Sequence, residues 1–322
     1  IFLINLPLGA FVFWAAARHV PESHDPNATG RLDLSGAALA AIGLGGTTYA
    51  LIEAPEGSLP AVVVTAVIGV AALIGFFVQE RRSANPMLPL TIFRSKQFSA
   101  ANAVTFVVYA ALGGVFFFLV SFLQIAMGYT PIEAGSASLP VTGLMLVFSA
   151  RAGALAQRIG PRIPLTLGPL IIAVGLAWLS MVEPGDSYVG AILPPIVVFG
   201  IGLTLVVAPV TATVLAAADS NHSGIASGVN NAVARVAGLL AVAVLPVLAG
   251  LTGDKFYEVE AMTDGFQIGM MACAALAALG GALAWFTIDS AVLHEEPGEP
   301  EPEPEYSCGV NGPPLLPGRE MG

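Results

Sequence analysis

Charged side chains are scarce in this 322-residue sequence. Asp, Glu, Lys and Arg together supply 11% of the residues, whereas apolar residues supply 56%. Soluble domains carry about 25% charged residues, because a larger apolar fraction would leave apolar surface facing water. The composition therefore excludes an ordinary soluble protein and predicts that the lipid bilayer is the partner in which the chain is embedded.

Basic residues and cysteines are also few. The 12 Lys and Arg residues stand against 22 Asp and Glu residues, and seven of these acids lie beyond Leu293. The net charge of −10 therefore indicates no particular partner, and no nucleic acid partner is expected. The two cysteines, Cys273 and Cys308, form neither a disulfide framework nor a paired metal motif. We expect no metal site and no cofactor.

The sequence does contain long apolar runs. A helix needs about 20 mainly apolar residues to cross the hydrocarbon core. Only the eighth run contains an internal charge, Arg235, and Pro140, Pro209 and Pro246 predict kinks of the kind that membrane helices tolerate. The nine runs are 1–17, 34–52, 59–78, 98–127, 134–150, 163–181, 188–217, 224–251 and 265–288. This pattern predicts an all-α, polytopic helical membrane protein.

The basic residues between the runs predict the orientation of the chain, because short cytoplasmic loops retain Lys and Arg. The even-numbered junctions contain only Lys255, and one odd-numbered junction, 218–223, contains no basic residue. The other odd-numbered junctions contain nine basic residues: Arg18, Arg31, Arg81, Arg82, Arg94, Lys96, Arg151, Arg158 and Arg162. This bias predicts an integral protein of the plasma (inner) membrane with a cytoplasmic C-terminus.

Several stretches, taken in order, resemble one known family. They are Ile1-Phe-Leu-Ile-Asn-Leu-Pro-Leu-Gly9, Pro21-Glu-Ser with Arg31-Leu-Asp33, Gly128-Tyr-Thr-Pro131 with Ala134-Gly135, Gly153-Ala-Leu-Ala-Gln-Arg158-Ile-Gly160-Pro-Arg162, and Ser223-Gly-Ile-Ala-Ser-Gly228-Val-Asn-Asn231 with Arg235. The set resembles the major facilitator superfamily, and specifically its drug:proton antiporter branch with 14 spans. The resemblance covers residue 1 to about residue 288.

The resemblance implies that this chain corresponds to spans six to fourteen. It opens on Ile1 within an apolar run, so we expect a fragment of a longer protein. The implied segments are the last span of the truncated N-terminal half (1–17), a linker with two central extra spans (18–78), a cytoplasmic basic linker (79–97), the C-terminal six-helix bundle (98–288), and a disordered acidic, Pro-rich cytoplasmic tail (289–322).

The resemblance also implies a function. Such transporters bind small amphipathic substrates near the bilayer midplane between two halves, and the halves rock to expose the site alternately. The parent protein is expected to exchange these compounds for protons, whereas the fragment by itself is expected to be inactive. Two alternatives stay open: an exporter of a specific metabolite or siderophore, and a non-transporting membrane scaffold or sensor.

Arg235 is the sharpest candidate for a functional residue. Twelve residues separate it from Ser223, which places it roughly 18 Å into the membrane, where an unpaired charge is costly. Gly224, Gly228, Asn231 and Arg235 share one helix face. This face, together with Asn230, is expected either to line the central cavity or the contact between halves, or to be a packing face satisfied by backbone carbonyls.

Weaker candidates lie in the fourth run, where Asn102, Tyr109, Gln124 and Phe117 supply polar or aromatic groups to a cavity or to helix packing. No Asp, Glu or His lies deep inside a run, so a coupling carboxylate is expected upstream of Ile1. The sequence contains no nucleophile elbow, zinc-protease motif or phosphate-binding loop. An enzyme is therefore not expected.

The loop from Gly153 to Arg162 resembles the family's gating motif, which holds helix ends in one state. Its candidate residues are Gly153, Gln157, Arg158, Gly160 and Arg162. Family members commonly have Asp at the position of Gln157, so one charge-assisted contact is lost here. The alternative for Arg158 and Arg162 is simpler: their positive charges would keep the loop in the cytoplasm.

Overall fold

The computed structural model describes residues 5–19, 33–54, 57–83, 86–218 and 223–293. It contains no β-strand in these ranges. The α-helices are α1 (Asn5–His19), α2 (Leu34–Glu53), α3 (Leu59–Arg82), α4 (Lys96–Ile125), α5 (Pro131–Ser136), α6 (Leu139–Ile159), α7 (Arg162–Leu179), α8 (Leu193–Ala216), α9 (Ser223–Leu248) and α10 (Val259–Thr287). Short helices at Leu90–Arg94, Tyr188–Ile192 and Gly253–Tyr257 join them. The all-α fold class is confirmed.

Among the described residues, eight helical segments are long and apolar enough to cross a membrane: Leu34–Glu53, Leu59–Arg82, Lys96–Ile125, Pro131–Ile159, Arg162–Leu179, Tyr188–Ala216, Ser223–Leu248 and Val259–Thr287. They confirm a polytopic membrane protein. Helix α1 covers part of the first apolar run but is described over only 15 residues. Large apolar side chains on the outside of the helices are exposed, such as Leu146 at 86% and Phe286 at 81%, and lipid is the solvent that suits such a surface.

Several sequence expectations concern segments outside the described residues. These segments are residues 1–4, the Pro21-Glu-Ser stretch, Arg31, part of the junction 218–223, and the acidic tail from His294 onward. The described residues form two compact units, residues 1–90 and residues 91–322. The division between the two units falls inside the basic segment 79–97.

In the first unit, α2 and α3 pack against each other as a hairpin. They approach most closely at Gly46 and Gly69, where a Cβ on Gly46 would lie 3.0 Å from the Cα of Gly69. Asp33 caps α2, because its carboxylate accepts a hydrogen bond from the amide of Gly36 at 2.8 Å. Asp33 therefore lies at the end of the hairpin where α2 begins and α3 ends.

In the second unit, two helices make most of the lateral contacts. Helix α10 packs against both α4 and α7, and α8 packs against both α6 and α7. Helix α9 packs mainly against α4, and its remaining contacts are with α8 and α10. The buried rings of Phe122 on α4 and Phe266 on α10 stack at 4.1 Å between centroids. This packing leaves one side of α9 free of large neighbours.

The three prolines expected to kink helices take two kinds of position. Pro209 and Pro246 lie inside α8 and α9. Pro140 instead lies in the first turn of α6, where the missing proline amide has no partner to lose, so the expectation of a kink there was wrong. The preceding helix α5 has a capping box, in which Thr130 and Glu133 satisfy each other's backbone amides.

Candidate functional site

A cavity of about 690 Å³ lies among α4, α8 and α9. Drug-sized ligands occupy pockets of about 300–1,000 Å³ that are mostly apolar with a few polar groups. The apolar lining consists of Leu112, Phe116, Val207, Val214, Leu215, Ala234, Leu239 and Val242, and the polar lining of Tyr109, Thr211, Ser227, Asn230, Asn231 and Arg235, with Gly113 and Gly238 between them. The size and lining of the cavity match those of a site for an amphipathic small molecule.

Arg235 lines this cavity together with Asn231 and Tyr109. Its side chain is exposed, and within the described residues no carboxylate pairs with it. The described lining also contains no Asp, Glu or His. A guanidinium in a mainly apolar cavity within a membrane helix favours an acidic or hydrogen-bond-accepting partner.

Asn230 is held by a hydrogen bond between α4 and α9. The hydroxyl of Thr105 lies 2.8 Å from Asn230 Oδ1 and 2.9 Å from the carbonyl oxygen of Ala101. Both Thr105 and Asn230 are buried, and a buried acceptor without a hydrogen bond would be costly. The bond therefore stabilises the contact between α4 and α9. This contact fixes the part of α9 that carries Asn231 and Arg235. The neighbouring Asn231 donates to the carbonyl oxygen of Ser227 at 3.0 Å.

Other candidate residues lie away from the cavity. Gly224 and Gly228 are exposed on α9 with open space where a Cβ would stand. Asn102 is buried and donates to the carbonyl oxygen of Phe98 at 2.9 Å. Gln124 donates to the carbonyl oxygen of Val120 at 3.4 Å. The structure therefore brings together Tyr109, Asn230, Asn231 and Arg235, and leaves the two glycines, Asn102 and Gln124 outside the cavity.

Phe116, rather than Phe117, supplies the aromatic face of the cavity. Phe116 also meets Phe199 edge to face, with ring centroids 6.2 Å apart. Phe117 packs instead against Phe118 and Phe256, with centroids 5.5 Å and 6.0 Å away. The sequence contains the cluster 116–118, but neighbouring residues on a helix point about 100° apart, so only the packing identifies the residue that faces the cavity.

Sequence reasoning missed Thr105, Thr211 and Ser227. Thr211 and Ser227 add hydroxyl groups to the cavity, and Thr105 orients Asn230. Small hydroxyl residues are common in membrane helices, where they bond to their own backbone, as Thr211 does to the carbonyl oxygen of Val207 at 3.0 Å. No signal in the sequence distinguishes these three from other such residues.

The candidate gating segment 153–162 is helical up to Ile159, where α6 ends, and Arg162 begins α7, so only Gly160 and Pro161 lie between the two helices. This connection lies against the segment that follows α10. Gly160 has φ +83°, and a Cβ at this position would lie 2.5 Å from the carbonyl oxygen of Ser290, so glycine is required there. The guanidinium of Arg162 lies 4.4 Å from the centroid of the Trp285 ring, a cation–π contact. A Cβ on Gly153 would lie 3.6 Å from the Cβ of Ala208, an ordinary van der Waals contact. Gln157 and Arg158 are exposed.

Gln97, which sequence reasoning did not single out, ties the start of α4 to the same end of α10. Its Nε2 donates to the carbonyl oxygen of Thr287 at 3.3 Å, and its Oε1 accepts from the amide of Asp289 at 3.0 Å. Together with Gly160 and Arg162, it anchors the end of α10. This end of the second unit is thus held by contacts from α4 and from the loop between α6 and α7.

A sequence model described as "Major Facilitator Superfamily" matches residues 1–242. This range covers well over half of the chain and includes α9 up to and beyond Arg235.

Individual relatives are similar over most of the chain. The chain is 34% identical to the Multidrug resistance protein Stp of Mycobacterium tuberculosis over 250 residues, which is 76% of this chain and 45% of that protein. It is 31% identical to the Tetracenomycin C resistance and export protein of Streptomyces glaucescens, over 86% of this chain and 52% of that protein. It is 31% identical to the Methylenomycin A resistance protein of Streptomyces coelicolor, over 88% and 58% respectively. The chain spans about half the length of the curated relatives that it matches.

Proposed function

Because the chain belongs to the Major Facilitator Superfamily, we propose that residues 91–293 provide one wall of the substrate cavity in a secondary active transporter. The transporter exports small amphipathic compounds in exchange for protons. The observation that carries the proposal is the cavity of about 690 Å³ among α4, α8 and α9, with Arg235 in its wall. Carriers of this kind expose a central cavity alternately to the two sides of the membrane.

The lining supports a drug-like substrate. Apolar side chains and the Phe116 ring accept many shapes, because apolar contact has no directional requirement. Arg235, Asn231 and Tyr109 add a cation and hydrogen-bonding groups. We therefore expect preference for compounds that combine an apolar body with an acidic or hydrogen-bond-accepting group.

The relatives support export rather than uptake. Those named above are a multidrug resistance protein, a tetracenomycin C resistance and export protein, and a methylenomycin A resistance protein. Since this chain spans about half of their length, we assign the opposite wall of the cavity to residues of a longer protein, beyond the 322 residues of this chain. The described cavity lining contains no carboxylate, so proton coupling is assigned to that other half as well.

The test compares the longer transporter with the 322-residue chain in cells whose own efflux pumps have been deleted. We expect the longer protein to keep a fluorescent amphipathic dye out of the cells and a protonophore to abolish this effect. The 322-residue chain should insert in the membrane but leave dye accumulation unchanged, because one wall cannot alternate access. Proton-driven dye export by the 322-residue chain alone would contradict the proposal.

We further propose that the loops rich in basic residues face the cytoplasm in the plasma membrane. The nine-to-one distribution of Lys and Arg supports this orientation. Single cysteines placed beside Arg81 and Arg158, in a chain whose Cys273 and Cys308 are replaced, should both react with an impermeant thiol reagent only after the membrane is opened. Reaction of one position from outside intact cells would show that the assigned topology is wrong.

A further inference from the structure

Two carboxylates approach the same point beside Gly36, at the end of the hairpin where α2 begins and α3 ends. Asp33 Oδ2 and Glu80 Oε1 each lie 2.9 Å from the point where a Cβ on Gly36 would stand. The two oxygens therefore lie within twice that distance of each other. They occupy one small space between residues that are 47 positions apart in the sequence.

The two carboxylates are only partly satisfied by hydrogen bonds. Glu80 is 3% exposed, and its Oε2 accepts from the amide of Leu88 at 2.9 Å. Asp33 Oδ1 accepts from the Ser35 hydroxyl at 2.6 Å and from the Gly36 amide at 2.8 Å. The facing atoms, Asp33 Oδ2 and Glu80 Oε1, are buried and have no hydrogen-bond partner within the part of the chain that the structure describes.

Within the part of the chain that the structure describes, the groups around the two carboxylates are mostly uncharged. On α2, the nearest polar side chain is Ser35, and the other described acid of that helix, Glu53, is at its opposite end. On α3, Gln79 donates to the Ser35 hydroxyl at 3.2 Å. Arg81 and Arg82 are exposed, and residues one and two positions apart on a helix do not face each other. The segment after α3 contributes the backbone amide of Leu88.

Ionising the buried Glu80 this close to the partly exposed Asp33 carboxylate is costly, and a single proton removes the repulsion. It also turns one of the two unpartnered oxygens into a donor, for which the other is an available acceptor. Hydrogen bonds from the Ser35 hydroxyl and the Gly36 amide lower the pKa of Asp33 below its ordinary value. Asp33 accepts two hydrogen bonds and the buried Glu80 accepts one, so a shared proton is better placed on Glu80.

We propose that Asp33 and Glu80 form a proton-binding site in the α2–α3 hairpin, in which the protonated Glu80 carboxyl donates to the Asp33 carboxylate. The site belongs to the first unit and shares no residue with the lining of the cavity in the second. It does not depend on the proposed transport activity, because proton binding is measured directly. Loss of the proton places two charges together and loosens this end of the hairpin.

The test is infrared difference spectroscopy of the full 322-residue chain in lipid nanodiscs during a pH titration. We expect a protonated-carboxyl C=O band that persists at a pH where exposed carboxyls are already ionised, and that shifts in D2O. Glu80→Gln should remove this band while retaining the acceptor for the Leu88 amide. Asp33→Asn should shift its loss to lower pH, and the matched control Glu53→Gln, on the same helix pair, should leave it unchanged.

Other outcomes would overturn the proposal. A band that survives in Glu80→Gln, or no protonated carboxyl above the range of exposed acids, would show that both carboxylates are ionised. Loss of the band on adding Na⁺ or Mg²⁺ at constant pH would identify a metal-cation site instead. Far-UV circular dichroism and size-exclusion profiles identical to the unmodified chain ensure that the Glu80→Gln and Glu53→Gln spectra report on folded protein.

Discussion

Replacing Arg235 with alanine in the longer transporter is expected to reduce export of amphipathic compounds to the background of pump-deleted cells. The guanidinium is the only charged group in the described lining of the cavity, so its loss removes the attraction for acidic and accepting groups. Because the side chain is exposed and unpaired among the described residues, its removal leaves no buried partner behind. Membrane insertion and the amount of folded protein should therefore be unchanged.

Dye accumulation and minimal inhibitory concentrations measure this loss, and immunoblots of isolated membranes measure the amount of protein. Arg82→Ala is the matched control, because Arg82 is an exposed arginine at the end of α3, outside the cavity. Arg235→Lys keeps the charge but not the planar donor fork, and should retain part of the export. Unchanged export by Arg235→Ala would assign Arg235 to helix packing and remove it from the substrate site.

Replacing Gly113 with alanine is expected to destabilise the second unit by about 1–3 kcal/mol, which is the usual cost of forcing an extra methyl group into a packed interface. A Cβ on Gly113 would lie 2.7 Å from the Cα of Gly238 and 2.9 Å from its carbonyl oxygen. Backbone atoms cannot rotate away as a side chain would. Helix α9 must therefore move away from α4, and the hydrogen bond between Thr105 and Asn230 is strained at the same time.

Replacing Gly238 with alanine is not expected to destabilise the protein, although Gly238 lies at the same crossing of α4 and α9. A Cβ on Gly238 meets nothing within 4 Å, because this position faces the cavity. The helix propensity of alanine should make this variant neutral or more stable, by up to about 1 kcal/mol. Thermal unfolding of fluorescently tagged protein, followed by size-exclusion chromatography, compares the two. Equal stability of both variants would contradict the close approach of α4 and α9.

The contrast between these two glycines shows the limit of sequence reasoning. Both are glycines in apolar runs, and nothing in the sequence distinguishes the one that contacts another helix. Only the structure shows that the Cβ direction of Gly113 points into α9 and that of Gly238 points into open space. The same holds for Phe116 and Phe117, which are adjacent in sequence but face different neighbours.

Arg235 could be proposed from the sequence because its signal is local. One charge in a long apolar run needs an environment other than lipid, whatever its neighbours are. Asn230 and Asn231 could be proposed from their position on the same helix, and all three line the cavity. Thr105 could not, because its role depends on a residue 125 positions away. The pairing of Asp33 with Glu80 was hidden for the same reason.

The sequence by itself determined that the chain is helical, crosses a membrane several times and belongs among carriers, since these properties follow from composition, run length and short ordered motifs. Only the tertiary structure decided which side chains line the same cavity. It also decided that Gly113 is the glycine in close contact at the crossing of α4 and α9, and that Asp33 and Glu80 lie close together. The physical reason is that apolar periodicity is a property of each helix alone. The rotation and crossing of one helix against another arise from the packing of residues far apart in the chain.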